Sequence, residues 1–201
     1  MYDKKSVSMN DLDQERTLPP TRTLRFGQAI DLFNRIPEIS NFISLSPGDN
    51  EDCQGFIETL RYSKTPEDAI IFMSFAIERR LSIQWGLEAV LDLSPNLPPD
   101  ETQLINWVSE WIDSPTSQTR WKTLQVALFA PRQSAAVHLG LAVGWSDGPI
   151  APNDLVTVPK WRTPYAISTA ILGSIGQRQP HFRADDIKQV LDKGATFLRR
   201  T

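Results

Sequence analysis

Residues 135–166 read AAVHLGLAVGWSDGPIAPNDLVTVPKWRTPYA, and this stretch decides the fold class. Its first ten residues are small or apolar on nearly every side, the pattern of a helix buried all round rather than along one stripe. The pattern stops at Trp145-Ser146-Asp147-Gly148-Pro149. Ser or Asp there can hydrogen-bond free backbone groups, Gly148 suits a left-handed turn, and Pro149 cannot continue a helix. Pro149, Pro152, Pro159 and Pro164 brace the loop that follows, and Thr163-Pro164 opens a new helix. A long loop carrying Val, Ile, Leu and Trp is expected to pack down on the helices, and packed ordered loops often carry function.

Reading outward, the clearest helix start is Thr65-Pro66-Glu67-Asp68. Thr65 suits the N-cap, Pro66 needs no donor in the first turn, and the two acids suit the positive helix end. This helix is apolar on most sides and leads to Glu78-Arg79-Arg80, a polar break or an exposed face. A second helix spans about 81–93. Upstream, helices are expected over about 24–36, ended by Pro37, and about 51–62. Downstream, Asp100-Glu101 begins a helix that stacks Trp107 and Trp111 on one face. Ser114-Pro115 caps a helix bearing Trp121, Leu124, Val126, Leu128 and Phe129, ended by Pro131. The last helix spans about 184–199. The best strand signal, Leu155-Val156-Thr157-Val158, lies between prolines and reads as extended loop.

The fold class is therefore all-α: a single domain over residues 23–201, with roughly eight or nine helices in an irregular α–α array and one long Pro-rich ordered loop. Residues 1–22 are polar, end in Pro19-Pro20 and read as a disordered tail. The Ser/Thr-Pro starts at Thr65, Ser114 and Thr163 are spaced 49 residues apart. That spacing admits degenerate helical-hairpin repeats, although residue identity between the units is negligible.

With 201 residues, 40% hydrophobic and 22% charged, the chain has an ordinary soluble composition. A net charge of −3 and scattered basic residues argue against nucleic-acid binding. The adjacent pairs Arg79-Arg80 and Arg199-Arg200 read as solvated charge. Cys53 is the single cysteine, so no intrachain disulfide can form. The N-terminal residues lack the apolar run of a secretory signal, and no apolar run suggests membrane insertion. The chain reads as cytoplasmic.

The chemistry of catalysis is mostly missing. With His138, His181 and one Cys, no pair has metal-ligand spacing, so no metal and no cofactor are expected. His138 among Ala and Leu reads as a core histidine. No Gly-x-Ser-x-Gly elbow or phosphate-binding Gly-rich loop occurs, and the acidic pairs fall at helix starts, where the helix dipole explains them. Glu51 and Asp52 would raise the Cys53 thiol pKa, the wrong direction for a nucleophile. Six tryptophans remain. Most read as packing, and Trp161, between Lys160 and Arg162, is the best candidate for an exposed interface anchor. The candidate protein-interaction residues are Trp145, Asp147, Lys160, Trp161 and Arg162.

Several segments resemble an uncharacterised bacterial domain-of-unknown-function family of about this length. They are Ala76-Ile77-Glu78-Arg79-Arg80 leading to Gln84-Trp85, Trp111-Ile112-Asp113-Ser114-Pro115, Leu139 through Gly148 with its Pro-rich sequel, and Gly194-Ala195-Thr196-Phe197-Leu198. The resemblance covers about residues 65–201. Family members more often carry Gly where Asp147 stands. The resemblance brings no activity or catalytic residue, but implies an association with type VI secretion gene neighbourhoods. The leading expectation is a non-enzymatic accessory protein that binds another protein. A ligand-binding protein or enzyme with a cleft near Trp145, Asp147 and His138, and an immunity or inhibitor protein, are the alternatives.

Overall fold

A helix without a polar face has to be surrounded, and the chain surrounds the one at 135–144. The computed structural model describes residues 23–149 and 156–198. Among the described residues there are nine α-helices and no strands. The helices are α1 (Ala29–Arg35), α2 (Cys53–Arg61), α3 (Glu67–Ala76), α4 (Arg79–Leu93), α5 (Pro99–Asp113), α6 (Ser117–Leu128), α7 (Ala135–Gly144), α8 (Arg162–Gly176) and α9 (Arg183–Leu198). Short 3-10 turns, Pro37–Asn41 and Pro180–Phe182, follow α1 and precede α9.

Every residue of α7 except His138 is buried. Helices α4, α5, α6 and α8 pack on it, and α8 also packs on α3 and α4. Two glycines let the neighbours approach. A Cβ at Gly140 would stand 3.0 Å from both Ala127 Cβ and Leu104 Cδ1, and one at Gly144 would stand 2.5 Å from Leu124 Cβ. On the other side of the core, Trp85 of α4 is fully buried. Its indole N–H donates to the Val190 carbonyl of α9 at 3.1 Å, the partner a buried tryptophan needs. Buried hydroxyls tie α3, α4 and α8 together. Ser74 Oγ lies 2.6 Å from the Ile71 carbonyl and 2.9 Å from the Pro164 carbonyl, and Ser82 Oγ donates to the Ser74 carbonyl at 3.0 Å.

Local signals explain most boundaries. Glu78-Arg79-Arg80 is a break: Ile77 is extended, and the Glu78 carboxylate caps α4 by accepting from the Arg80 and Leu81 amides. Ser134 caps α7 through the Val137 amide, and Asp52 caps α2 through the Gly55 amide at 2.6 Å. Three boundaries differ from expectation. The first helix begins at Ala29, not at 24, because residues before it run extended against other backbone. Leu24 bridges Ile77, Gln28 bridges Asp52, and the Glu78 amide donates to the Thr23 carbonyl. Thr65 does not cap α3 with its side chain; its hydroxyl donates instead to the buried Asp68 carboxylate, which also accepts from the Ser44 amide at 2.8 Å. The cap of α6 is Thr116, through the Thr119 amide, while Ser114 ends α5.

These shifts dissolve the 49-residue spacing. The three starts stand in different relations to their helices, and only α6 and α7 of the implied hairpins pack closely along each other. The array is irregular. Val126, Leu128 and Phe129 of the α6 end are exposed, not core. The tail expected over 1–22 lies outside the described residues, as do residues 150–155 of the Pro-rich loop.

The close α6–α7 approach predicts opposite outcomes for two Gly→Ala changes in helices. Gly144→Ala forces Leu124 aside and is expected to destabilise by about 1–3 kcal/mol. Gly173→Ala, exposed within α8 with nothing near its Cβ position, is expected to stabilise by about 0.5–1 kcal/mol. Urea unfolding of both variants checks this; a stabilising Gly144→Ala would contradict the packing described.

Candidate functional site

Helix α7 ends inside the molecule, so its last carbonyls need partners. The Trp145 amide donates to the Leu141 carbonyl at 2.8 Å and the Ser146 amide to the Val143 carbonyl at 3.1 Å. Gly148 then takes φ +68°, the left-handed geometry that its type favours. The Asp147 carboxylate steadies this turn by accepting from the Gly148 amide at 2.8 Å. Beyond it, Pro149 bridges Thr157 and the Val158 amide donates to the Gly148 carbonyl at 3.1 Å. The base of the loop is thus closed, and the chain returns to Trp161, the residue that precedes α8.

The most deeply engaged side chain here is Arg120 of α6, which the sequence reading did not single out. It is 6% exposed. One guanidinium nitrogen donates to the Gly144 carbonyl, the last of α7, at 2.8 Å. The guanidinium lies over the Trp121 ring at 4.2 Å, and a Cβ at Gly148 would stand 3.4 Å from its other terminal nitrogen. Burial pushes the pKa of Arg120 down, and the charge of Asp147 opposes that shift. The same device recurs. Arg80 donates to the Ile112 and Asp113 carbonyls at the end of α5, at 2.5 and 3.2 Å, and Arg178 donates to the Leu93 carbonyl at the end of α4 at 3.3 Å. A cation at a helix C-terminus satisfies bare carbonyls and the negative end of the dipole together. Arg79-Arg80 is therefore not idle surface charge: Arg80 caps α5, and Arg79 faces Asp147 at 3.8 Å.

Of the five sequence candidates, Trp145 and Asp147 lie at this turn, and Arg162 links Trp145 to Trp161. Asp147 is 85% exposed and is the carboxylate facing Arg79. Trp145 is half-buried, with the Arg162 guanidinium 5.4 Å from its ring. Arg162 also lies 5.9 Å from the Trp161 ring, and Lys160 is exposed beside it. Trp161 is not a freely exposed anchor. It is half-buried, with Phe42 and Tyr165 each 5.9 Å away, and it pins the start of α8 to the segment after the first 3-10 turn. The other half-buried tryptophans follow one pattern, with Lys122 over Trp107 and Arg120 over Trp121. Arg25 joins the group from the N-terminal side. Its pKa is pushed down to about 10, first by burial and then by Arg79, with Glu78 opposing.

Other chemistry lies apart from this face. His138 stands about two turns before Trp145 on α7, roughly 10 Å of helix rise away. Its ring Nδ1 lies 2.8 Å from the Ser134 carbonyl, one turn back along α7 and away from Asp147, which lies beyond the other end of the helix. His181 stacks beside Phe182 at 3.9 Å. Cys53 is buried, its thiol donating to the Phe26 carbonyl at 3.2 Å. Burial, then Asp52 and Asp31, push its pKa up to about 12. Among the described residues no group of three or more His, Cys, Asp or Glu could hold a metal, and no helix is long and apolar enough to cross a membrane.

Two predictions follow from these environments. A neutral-pH disulfide reagent should label Cys53 only after denaturant unfolds the chain; full labelling of the native protein would contradict its burial. Gly148→Ala, which puts a Cβ on a left-handed residue, should lower the unfolding free energy by about 1–2 kcal/mol, and Gly148→Asn by less. Equal stability of all three proteins in calorimetry would contradict the turn.

Comparison with curated proteins and with solved structures finds no match. Residues 56–198, which run from within α2 to the end of α9 and hold this face apart from Arg25 and Phe42, match the model of a family of unknown function, DUF6931. With well over half of the chain covered by that model, the protein belongs to the DUF6931 family.

Proposed function

We propose that this protein is a non-enzymatic accessory protein that binds a protein partner through the face where α7 ends and α8 begins. One observation carries the reading. Side chains from four separate segments meet near there: Arg25 before α1 beside Arg79 on α4, Asp147 after α7 facing Arg79, and Arg162 at the start of α8 over Trp145. Between them lie half-buried aromatic rings. A rigid turn rimmed by Arg and Trp is the composition of an interface centre rather than of ordinary surface. The face has no nucleophile–base pair of the kind a catalytic centre needs among the residues described around it.

The resemblance to proteins of type VI secretion gene neighbourhoods makes bacterial secretion components the first partners to test, with the protein acting in the cytoplasm. The test has to spare the fold. Because Trp161 is a packing residue, its truncation would confuse binding with stability, so the probe belongs at exposed Lys160. A photo-crosslinking amino acid at Lys160 is expected to give one discrete protein adduct in native cells. The same group at exposed Lys188 of α9 is expected to give none. No adduct at Lys160, or equal adducts at both positions, would contradict the reading.

A further inference from the structure

Among the described residues, Arg25, Arg79 and Arg120 lie near the turn after α7 and Arg162 lies beside Trp145, against the carboxylates of Glu78 and Asp147. The Glu78 carboxylate is already committed to the Arg80 and Leu81 amides. The Asp147 carboxylate is committed to the Gly148 amide, and at 3.8 Å from Arg79 it is too far to accept a hydrogen bond. Among the described residues, neither Arg79 nor Arg162 donates a side-chain hydrogen bond. Arg79 is 41% exposed. These guanidinium forks are built for bidentate carboxylate or phosphate recognition. Such a surplus is held in a chain whose net charge is −3.

We propose that this face is an arginine clamp for a carboxylate-rich segment of another protein, in which Asp147 is the resident carboxylate that an incoming one displaces from Arg79. The proposal rests on the protein-binding reading above and gives it a chemistry. Asp147 suits displacement because it is almost fully exposed and sits on the left-handed turn at Gly148, outside any helix. The occupant is a protein segment rather than a nucleic acid for two reasons. The cations come from separate segments near a single turn, and the chain as a whole carries a net charge of −3, which disfavours a long polyphosphate. Exposed Tyr165, packed beside Trp161, supplies apolar ground for the residues that flank the carboxylates.

A fluorescein-labelled octaglutamate peptide, titrated with the whole chain and read by fluorescence anisotropy, tests this. Binding is expected to weaken steeply with added salt. Arg79→Ala and Arg162→Ala are each expected to weaken it about fivefold or more, as for loss of a charge-assisted contact. Asp147→Asn is expected to tighten it about threefold to tenfold, because the internal competitor is gone. Arg132→Ala, which removes an exposed cation paired with Asp100 and Glu101, is expected to change nothing. Circular dichroism of each variant separates lost binding from lost folding. Tightening by Asp147→Asn is the readout that unfolding cannot mimic. Unchanged or weaker binding by Asp147→Asn overturns the displacement. A single-stranded oligonucleotide that binds more tightly, with the same variant profile, overturns the choice of occupant. If octaglutamate fails to bind while Lys160 still cross-links a partner, the acidic chemistry is wrong and the protein-binding reading stands.

Discussion

The structure turns on the burial of α7, from which only His138 is excepted. A ten-residue helix of small and apolar side chains, wrapped by four others, cannot leave its C-terminal carbonyls to water. They must be satisfied from within. Arg120 reaches across from α6 to do so at Gly144, and the Ser146-Asp147-Gly148 turn carries the chain out again. That one requirement places α6 against α7 at glycine contact, fixes the direction of the loop, and delivers Trp161 to the start of α8.

The same solution recurs at the ends of α4 and α5, through Arg178 and Arg80. An arginine serves well because its planar fork can meet carbonyls while its aliphatic stem fills apolar space. The device places a cation at the interior end of each of these helices, Arg120 at α7, Arg80 at α5 and Arg178 at α4. Arg120, which closes the end of α7, also lies within the electrostatic reach of Asp147 on the turn beyond it.

Much of the fold could be read in one dimension. The all-round apolar pattern of 135–144, the terminator after it, the left-handed Gly148 and the break at Glu78 all depend on neighbours within a few residues. The arginines could not be read that way. Arg120, Arg80 and Arg178 meet carbonyls 24, 32 and 85 residues distant in the chain, so no local pattern marks them. Periodicity likewise could not show that Leu24 lies in an extended segment bridged to Ile77, nor that Thr65 spends its hydroxyl on Asp68. At the candidate site the sequence placed the turn after α7, but not the surroundings of its tryptophans. Trp161 is drawn into an aromatic cluster with Phe42 and Tyr165, and guanidinium groups, not a bare indole, lie over the half-buried rings.

Hydrogen exchange measured by mass spectrometry on the native protein and on Arg120→Met is the most direct test of the account. In the native protein the amides of 140–146 should exchange only through global unfolding, as slowly as those of buried α3. In Arg120→Met, which keeps the apolar stem and loses the donor, the same amides should open locally, with an opening free energy lower by about 1–3 kcal/mol, while α9 keeps its protection. Fast local exchange at 140–146 in the native protein, or identical protection in the variant, would contradict the claim that Arg120 closes the end of α7.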